Sequence, residues 1–290
     1  MRRVGSVQQK VSCVFMTEVK EEASRKRDCQ PFHVVATAMV NPAVLEADLS
    51  CAVATEKLDG TCCYVSLYKG KPHLWARLDR RPNKQAEKRF KKYQYSHRSS
   101  KGWVPVEDDN KQYCWHSSVV DSSVGSALVL RPVLNNEDTL EIVALPLADL
   151  LEQTLELIGT NVNGNPYGLG SKKQPIHFLV SHGSICIRNP PPVDFQQLYS
   201  WFRGDSEGRI EGIVWHCAGG SLFKLHRHHL GLEWPAEGTH LSNKPVVVGV
   251  SGTTLDDNSK SLFVSFSRMN GRCFSRLHDV HFDLEIQSTT

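Results

Sequence analysis

The chain has 290 residues, 40% of them hydrophobic and 22% charged, values close to globular averages, which exclude a wholly disordered, collagen-like or coiled-coil protein and leave room for one or two domains. The net charge of +3 says little about partners, but eleven Lys/Arg and two acids fall between Lys71 and Lys101, a local +9 that leaves −6 for the rest of the chain. Basic charge is concentrated in one strip.

The nine cysteines show no C-x-x-C spacing, and the chain has no N-x-S/T sequon. This pattern implies free thiols in a reducing compartment, hence an intracellular protein. The N-terminal residues are basic but lack the apolar core of a secretory signal. No apolar run is long enough to span a membrane, so the expectation is a soluble chain.

In chain order, residues 11–18 (VSCVFMTE) read as a strand, a charged loop follows, and strand-like content resumes from Phe32 to Val40. VATEKLDG, CCYVSLY and HLWARL read as successive antiparallel strands, with a turn at Lys69-Gly70-Lys71-Pro72. Pro82 stands where a helix can start, and NKQAEKRFKKYQY is read as a basic surface helix. Residues 94–112 are polar and irregular. ALVLRPVL and TLEIVALPL are strands, a helix opens at Pro146 through ADLLEQ, and TLELIG is a further strand. Asn161 to Gly170 is dense in Asn, Gly and Pro, the composition of a structured loop or a long turn. HFLVSHGSICI reads as a strand pair, DFQQLYSWFRG as a short helix, and IEGIVWHC with SLFKLHR as a hairpin. Patterning weakens after Trp234, where KPVVVGV and SLFVSFS are candidate strands. The fold class is α+β.

Thr55-Glu56-Lys57-Leu58-Asp59-Gly60-Thr61 sets Lys57 and Asp59 two apart, which on a strand is one face. A nucleophilic amine beside a metal-binding carboxylate is one meaning of that spacing; a surface turn with a fortuitous ion pair is the other. With Gly219 and Gly220 as a two-residue hairpin loop, paired positions sum to 439, which sets Trp215 opposite Lys224 and places Glu211 and Lys224 on one side. Glu156 sits inside an apolar strand, where a carboxylate needs water or a partner, and Arg77 in LWARLD has the same character. His226, His228 and His229, near His216 and Cys217, invite a zinc reading, but strand alternation would separate His228 from His229 and no spaced cysteine pair completes four ligands.

Taken in order, K-L-D-G at 57–60, LELIG at 155–159, EGIV at 211–214 and a lysine strand beginning at Lys224 resemble the collinear motifs of covalent lysine nucleotidyltransferases. The stretch LELIGTNVNGNPYG is similar to ATP-dependent RNA ligases, and the run from Gly5 to Leu232 is similar to the vertebrate ligases that join RNA 5′-phosphate and 3′-hydroxyl ends. The resemblance implies an antiparallel-sheet nucleotidyltransferase core, an ATP-grasp-like ligase fold with surface helices. It also implies a ligase domain over 1–234 and a poorly patterned extension over 235–290 that is too short for a complete OB-fold.

By the same resemblance, Lys57 takes AMP from ATP, Glu56 and Arg77 contact the nucleotide, Glu156 its ribose and Lys224 its α-phosphate. Asp59 and Glu211 hold Mg²⁺ or Mn²⁺, and the partner is single-stranded RNA with 5′-phosphate and 3′-hydroxyl ends. These residue types suit the chemistry. Free lysine, with a pKa of about 10.4, is protonated and weakly nucleophilic, and neighbouring cations favour its neutral form.

Three departures from the family pattern stand out. Thr61-Cys62-Cys63 follows the K-x-D-G where many members carry an arginine, His226 replaces the second lysine of the K-x-K strand, and the polar stretch from Tyr93 to Trp103 is short. They leave open a catalytically impaired RNA-binding isoform, with a DNA ligase or capping-type enzyme as a further alternative.

Overall fold

A computed structural model describes residues 11–22, 32–77, 102–107, 111–251 and 261–282. The basic helix expected over 83–95 and most of the short polar stretch after it lie outside the described residues. In chain order the strands are β1 (Ser12–Cys13), β2 (Phe15–Lys20), β3 (His33–Val40), β4 (Val53–Lys57), β5 (Thr61–Tyr68), β6 (Lys71–Arg77), β7 (Trp103–Pro105) and β8 (Val120–Asp121). They continue as β9 (Ser126–Val133), β10 (Asn136–Pro146), β11 (Thr154–Gly159), β12 (His177–Ser181), β13 (Gly212–His216), β14 (Leu222–His226), β15 (Val246–Gly249) and β16 (Cys273–Phe274). Helices are few and short, so the described chain is α+β and mostly sheet, and no described helix is long and apolar enough to cross a membrane.

The chain forms two compact units. One comprises Gly60–Ser181 with the chain from Ser242 onward; the other comprises Gln8–Asp59 and His182–Leu241. In the first unit, one mixed sheet runs in the order β16-β15-β10-β9-β12-β11-β5-β6-β7, with β8 beside β9. Central β11 lies between β12 and β5 and buries every residue from Leu155 to Gly159, which explains its nearly continuous apolar sequence. The helix Leu262–Ser267 packs on this unit's core, Phe266 meeting Phe178 at a ring separation of 5.4 Å.

That helix corrects the strand expected for SLFVSFS. Ser261 caps it by accepting the Val264 N–H, and Phe263 and Phe266, three apart, are both buried. The helix expected through ADLLEQ is a single 3₁₀ turn, Leu147–Leu150, which buries Leu147 and Leu150. HFLVSHGSICI supplies one strand, β12; beyond it only a single bridge, Cys186 to Thr55, is made.

The second unit holds the four-stranded sheet β1-β14-β13-β4 and the ribbon β2-β3. The helix Phe195–Gly204 is N-capped by Asp194, whose carboxylate accepts the Gln197 N–H at 2.9 Å. It presents Leu198 and Phe202 to a core that includes Ala54, Ile213, Trp215, Phe223 and Leu225. At roughly 2 kcal/mol for each fully buried large apolar side chain, this packing fixes which side of the sheet faces inward.

Candidate active site

In the second unit, β4, β13 and β14 align Lys57 with Gly212 and His226, and Thr55 with Val214 and Lys224. Directly paired residues share a face. The inward face carries Ala54, Ile213, Trp215, Phe223 and Leu225, all buried, whereas Lys57, Val214, His216, Lys224 and His226 on the other face are half-buried. The sheet thus has one packed side and one partly open side that displays two lysines.

The hairpin register differs by one from the expected sum of 439, because Val214 rather than Trp215 faces Lys224. The loop has three residues, Ala218 to Gly220: Cys217 and Ser221 close it through a backbone hydrogen bond of 3.0 Å, and Gly220 takes the left-handed φ of 80° that such loops assign to glycine. A one-residue shift flips a strand's side chains. Lys224 therefore shares its face with Gly212 and Lys57, and not through alternation with Glu211.

Glu211 precedes β13 and reaches the open side through its side chain, its Oε2 lying 2.6 Å from Lys57 Nζ. The glutamate is 0% exposed, so its carboxylate is held in a setting of low dielectric where a charge-assisted bond is strong. Asp59 lies past the end of β4 at Lys57, outside the strand alternation expected for it. Its Oδ2 accepts the indole N–H of Trp234 at 2.8 Å, and the residue is buried. Glu56 is buried on the pleat opposite Lys57, and its backbone N–H donates to Ile185.

His226 ends β14, and Arg227–Leu230 form a 3₁₀ turn in place of the continued strand expected there. The imidazoles of His226 and His229 stack at 3.6 Å, and Cys13 Sγ lies 3.4 Å from His229 Nδ1.

The first unit carries Gly60, Arg77 and Glu156. Gly60 is pressed against β11: a Cβ there would stand 2.2 Å from the Leu157 carbonyl oxygen. Both polar groups of its backbone are taken, the N–H by Glu156 Oε1 at 3.0 Å and the carbonyl by the Asn163 side-chain amide at 2.6 Å. Glu156 is paired across the sheet with Cys62 and Val180, and Arg77 ends β6 beside Ala76, the partner of Cys63. The Asn/Gly-rich loop is a structured one, with left-handed backbone at Asn161, Asn163, Asn165 and the three glycines Gly164, Gly168 and Gly170. Asn163 and Trp234 were not among the expected site residues. Their hydrogen bonds span 103 and 175 residues of sequence, and no local pattern marks them.

Comparison with known proteins identifies the family of the chain. A family model described as RNA ligase 1 matches residues 1–102 and 99–283. The chain is 56% identical over 324 residues to RNA ligase 1 of Danio rerio, covering 98% of this chain and 100% of that protein. It is 51% identical to RNA ligase 1 of Rattus norvegicus and 50% identical to that of Pongo abelii, with the same coverage. These alignments exceed the 290 residues of the chain, so the relatives carry residues that it lacks. The two matched stretches meet at 99–102, within the polar segment read as short.

Proposed function

We propose that this chain, which belongs to the RNA ligase 1 family, is an RNA ligase that uses ATP to join a 5′-phosphate to a 3′-hydroxyl, and that Lys57 carries AMP between the two substrates. The observation that supports this reading above the others is the Lys57–Glu211 pair at the rim of a sheet face that also bears Lys224. The collinear motifs then correspond to groups on a nucleotidyltransferase core.

Lys57 Nζ attacks the α-phosphorus of ATP, the bond from that phosphorus to the α,β-bridging oxygen breaks, and pyrophosphate leaves. The RNA 5′-phosphate next takes AMP from the lysine, and the 3′-hydroxyl attacks the activated end, releasing AMP. As an ammonium, Lys57 has no lone pair for the first attack, so its proton must pass to solvent before the amine attacks; Glu211, 2.6 Å away and fully buried, is in place to hold the amine. Lys224 on the same face brings a fixed positive charge to the phosphate. Contacts of Glu56 and Arg77 with the nucleotide and of Glu156 with its ribose rest on the family resemblance alone, and Glu56 lies on the pleat opposite Lys57.

The donor set fits a divalent cation. Asp59 and Glu211 are buried carboxylates with hard oxygen donors, and a carboxylate has about four lone-pair sites, so the bonds to Trp234 and Lys57 do not exhaust either one. Mg²⁺ or Mn²⁺ bound there supplies neutralisation of the charge that develops as pyrophosphate departs.

Incubation with ATP labelled at the α-phosphate tests the reading: a covalent, acid-labile label on Lys57 is expected. A second reading, an RNA-binding protein without ligase chemistry, is favoured by the break between the two stretches matched to the family model, at 99–102, and by alignments longer than the chain. An unlabelled protein that still binds single-stranded RNA would establish it.

A further inference from the structure

We infer that Trp234 is a positioning residue for the carboxylate of Asp59, and through it for the divalent cation of adenylyl transfer; this rests on the assignment of Asp59 as a metal ligand made above. Asp59 lies beyond the last paired residue of β4, so the sheet does not fix its direction. Its Oδ2 is instead held by the Trp234 indole at 2.8 Å. Restraining one carboxylate oxygen leaves the other with a defined direction, which is what a cation with strict coordination geometry requires of its ligand.

The choice of donor matters. An indole N–H donates one hydrogen bond and carries no charge or titration near neutral pH. It orients the carboxylate without neutralising it, whereas an arginine or lysine at the same place would compete with the cation for the same charge.

The segment bearing the indole is itself fixed from below. The guanidinium of buried Arg227 donates through Nε to the carbonyl of Glu233 at 2.6 Å, one residue before Trp234, and through Nη1 to the carbonyls of Phe202 and Gly208 at 2.8 and 3.0 Å. Leu232 N–H returns to the Arg227 carbonyl at 2.9 Å. A charged group spent on three backbone carbonyls locks this turn to the C-terminal end of the helix Phe195–Gly204. The indole is thereby delivered to Asp59 by a rigid support and not by a free loop.

The test uses the full chain with Trp234→Phe, which keeps a ring and removes the donor, beside Asp59→Asn. Should the smaller ring disturb folding, replacement of Trp234 by benzothienylalanine keeps the indole's shape and deletes only its N–H. Mn²⁺ binding is followed by electron paramagnetic resonance without ATP, and the Mg²⁺ dependence of Lys57 labelling is followed separately. We expect Mn²⁺ affinity to fall and the half-saturating Mg²⁺ to rise roughly 10- to 100-fold in the Trp234 variants, with the melting temperature and the ATP requirement at saturating Mg²⁺ unchanged. If Asp59→Asn weakens Mn²⁺ binding and the Trp234 variants do not, Trp234 has no positioning role. If neither change affects Mn²⁺ binding, Asp59 is not a ligand and the inference falls with that assignment.

Discussion

Lys57 Nζ and Glu211 Oε2 lie 2.6 Å apart although 154 residues separate them in the chain. The bond joins the end of β4 to the residue just before β13, two strands paired from Lys57–Gly212 to Val53–His216. Arginine at position 57 can keep a charge-assisted bond to Glu211 but cannot lose its proton to attack phosphorus. Lys57→Arg is therefore expected to fold like the parent and to take up no α-labelled AMP, as inert as Lys57→Ala. Labelling of the arginine variant would remove Lys57 from the nucleophile's role.

Asp59→Ala and Glu211→Ala are expected to lose most labelling at ordinary Mg²⁺, with partial rescue, at best, by added Mg²⁺ or Mn²⁺. A titration of labelling against each metal reads this directly. Parental activity in both variants at ordinary Mg²⁺ would place the cation elsewhere.

Gly60→Ala puts a methyl carbon 2.2 Å from a backbone oxygen of β11, a clash with atoms that cannot turn aside. A loss of about 3 kcal/mol in folding stability is expected, seen as a lower urea midpoint at an unchanged slope. An unchanged midpoint would mean that β11 gives way without cost.

His116 is fully buried, its ring edge-on to Tyr113 at 5.3 Å, and neither ring nitrogen has a hydrogen-bond partner among the described residues. Burial, with a smaller contribution from neighbouring His177, pushes its pKa down from 6.5 to about 3. The unfolded chain then binds a proton that the folded chain refuses. Stability from this group is present above pH 6.5 and is lost as pH falls toward 3, by roughly 5 kcal/mol at the lower end. His116→Phe should flatten the stability curve between these values relative to the parent; parallel curves would show that His116 charges without unfolding.

The basic helix expected over 83–95 lies outside the described residues, and its prediction follows from sequence alone. Lys84, Lys88 and Lys91 fall at helical spacings. If that face tracks phosphates, replacing the three by glutamine lowers the slope of log RNA affinity against log salt by about 2 while AMP labelling persists. Equal salt slopes in parent and variant would assign the strip to solvent.

Periodicity and turn chemistry in the sequence determined most strands, since β5 with β6, β9 with β10 and β13 with β14 each bury an apolar run or alternation against a neighbour close in the chain; β4, expected to be followed by β5 as its antiparallel neighbour, pairs instead with the distant β13. The helix Phe195–Gly204 was legible for the same reason, through its capping aspartate and the buried Leu198 and Phe202. Local signals failed where tertiary packing chose between periods. Leu262–Ser267 has apolar residues that serve a strand or a helix, and a cap at Ser261 with a core facing Phe178 selected the helix. The hairpin register turned on whether Ala218 joined the loop, a difference of one residue that composition does not encode.

The candidate site divides along the same line. Lys57, Asp59, Glu156, Glu211 and Lys224 stood out as candidates because four motifs kept their order in the chain. Only the tertiary structure decided that Glu211 reaches Lys57, that Glu156 and Asn163 divide the backbone of Gly60, and that the Trp234 indole bonds Asp59. Each of these is one directional hydrogen bond between residues roughly a hundred or more positions apart. Such a bond depends on where sheet register and loop geometry finally place two atoms within about 3 Å, and a linear pattern of hydrophobicity carries no information at that scale.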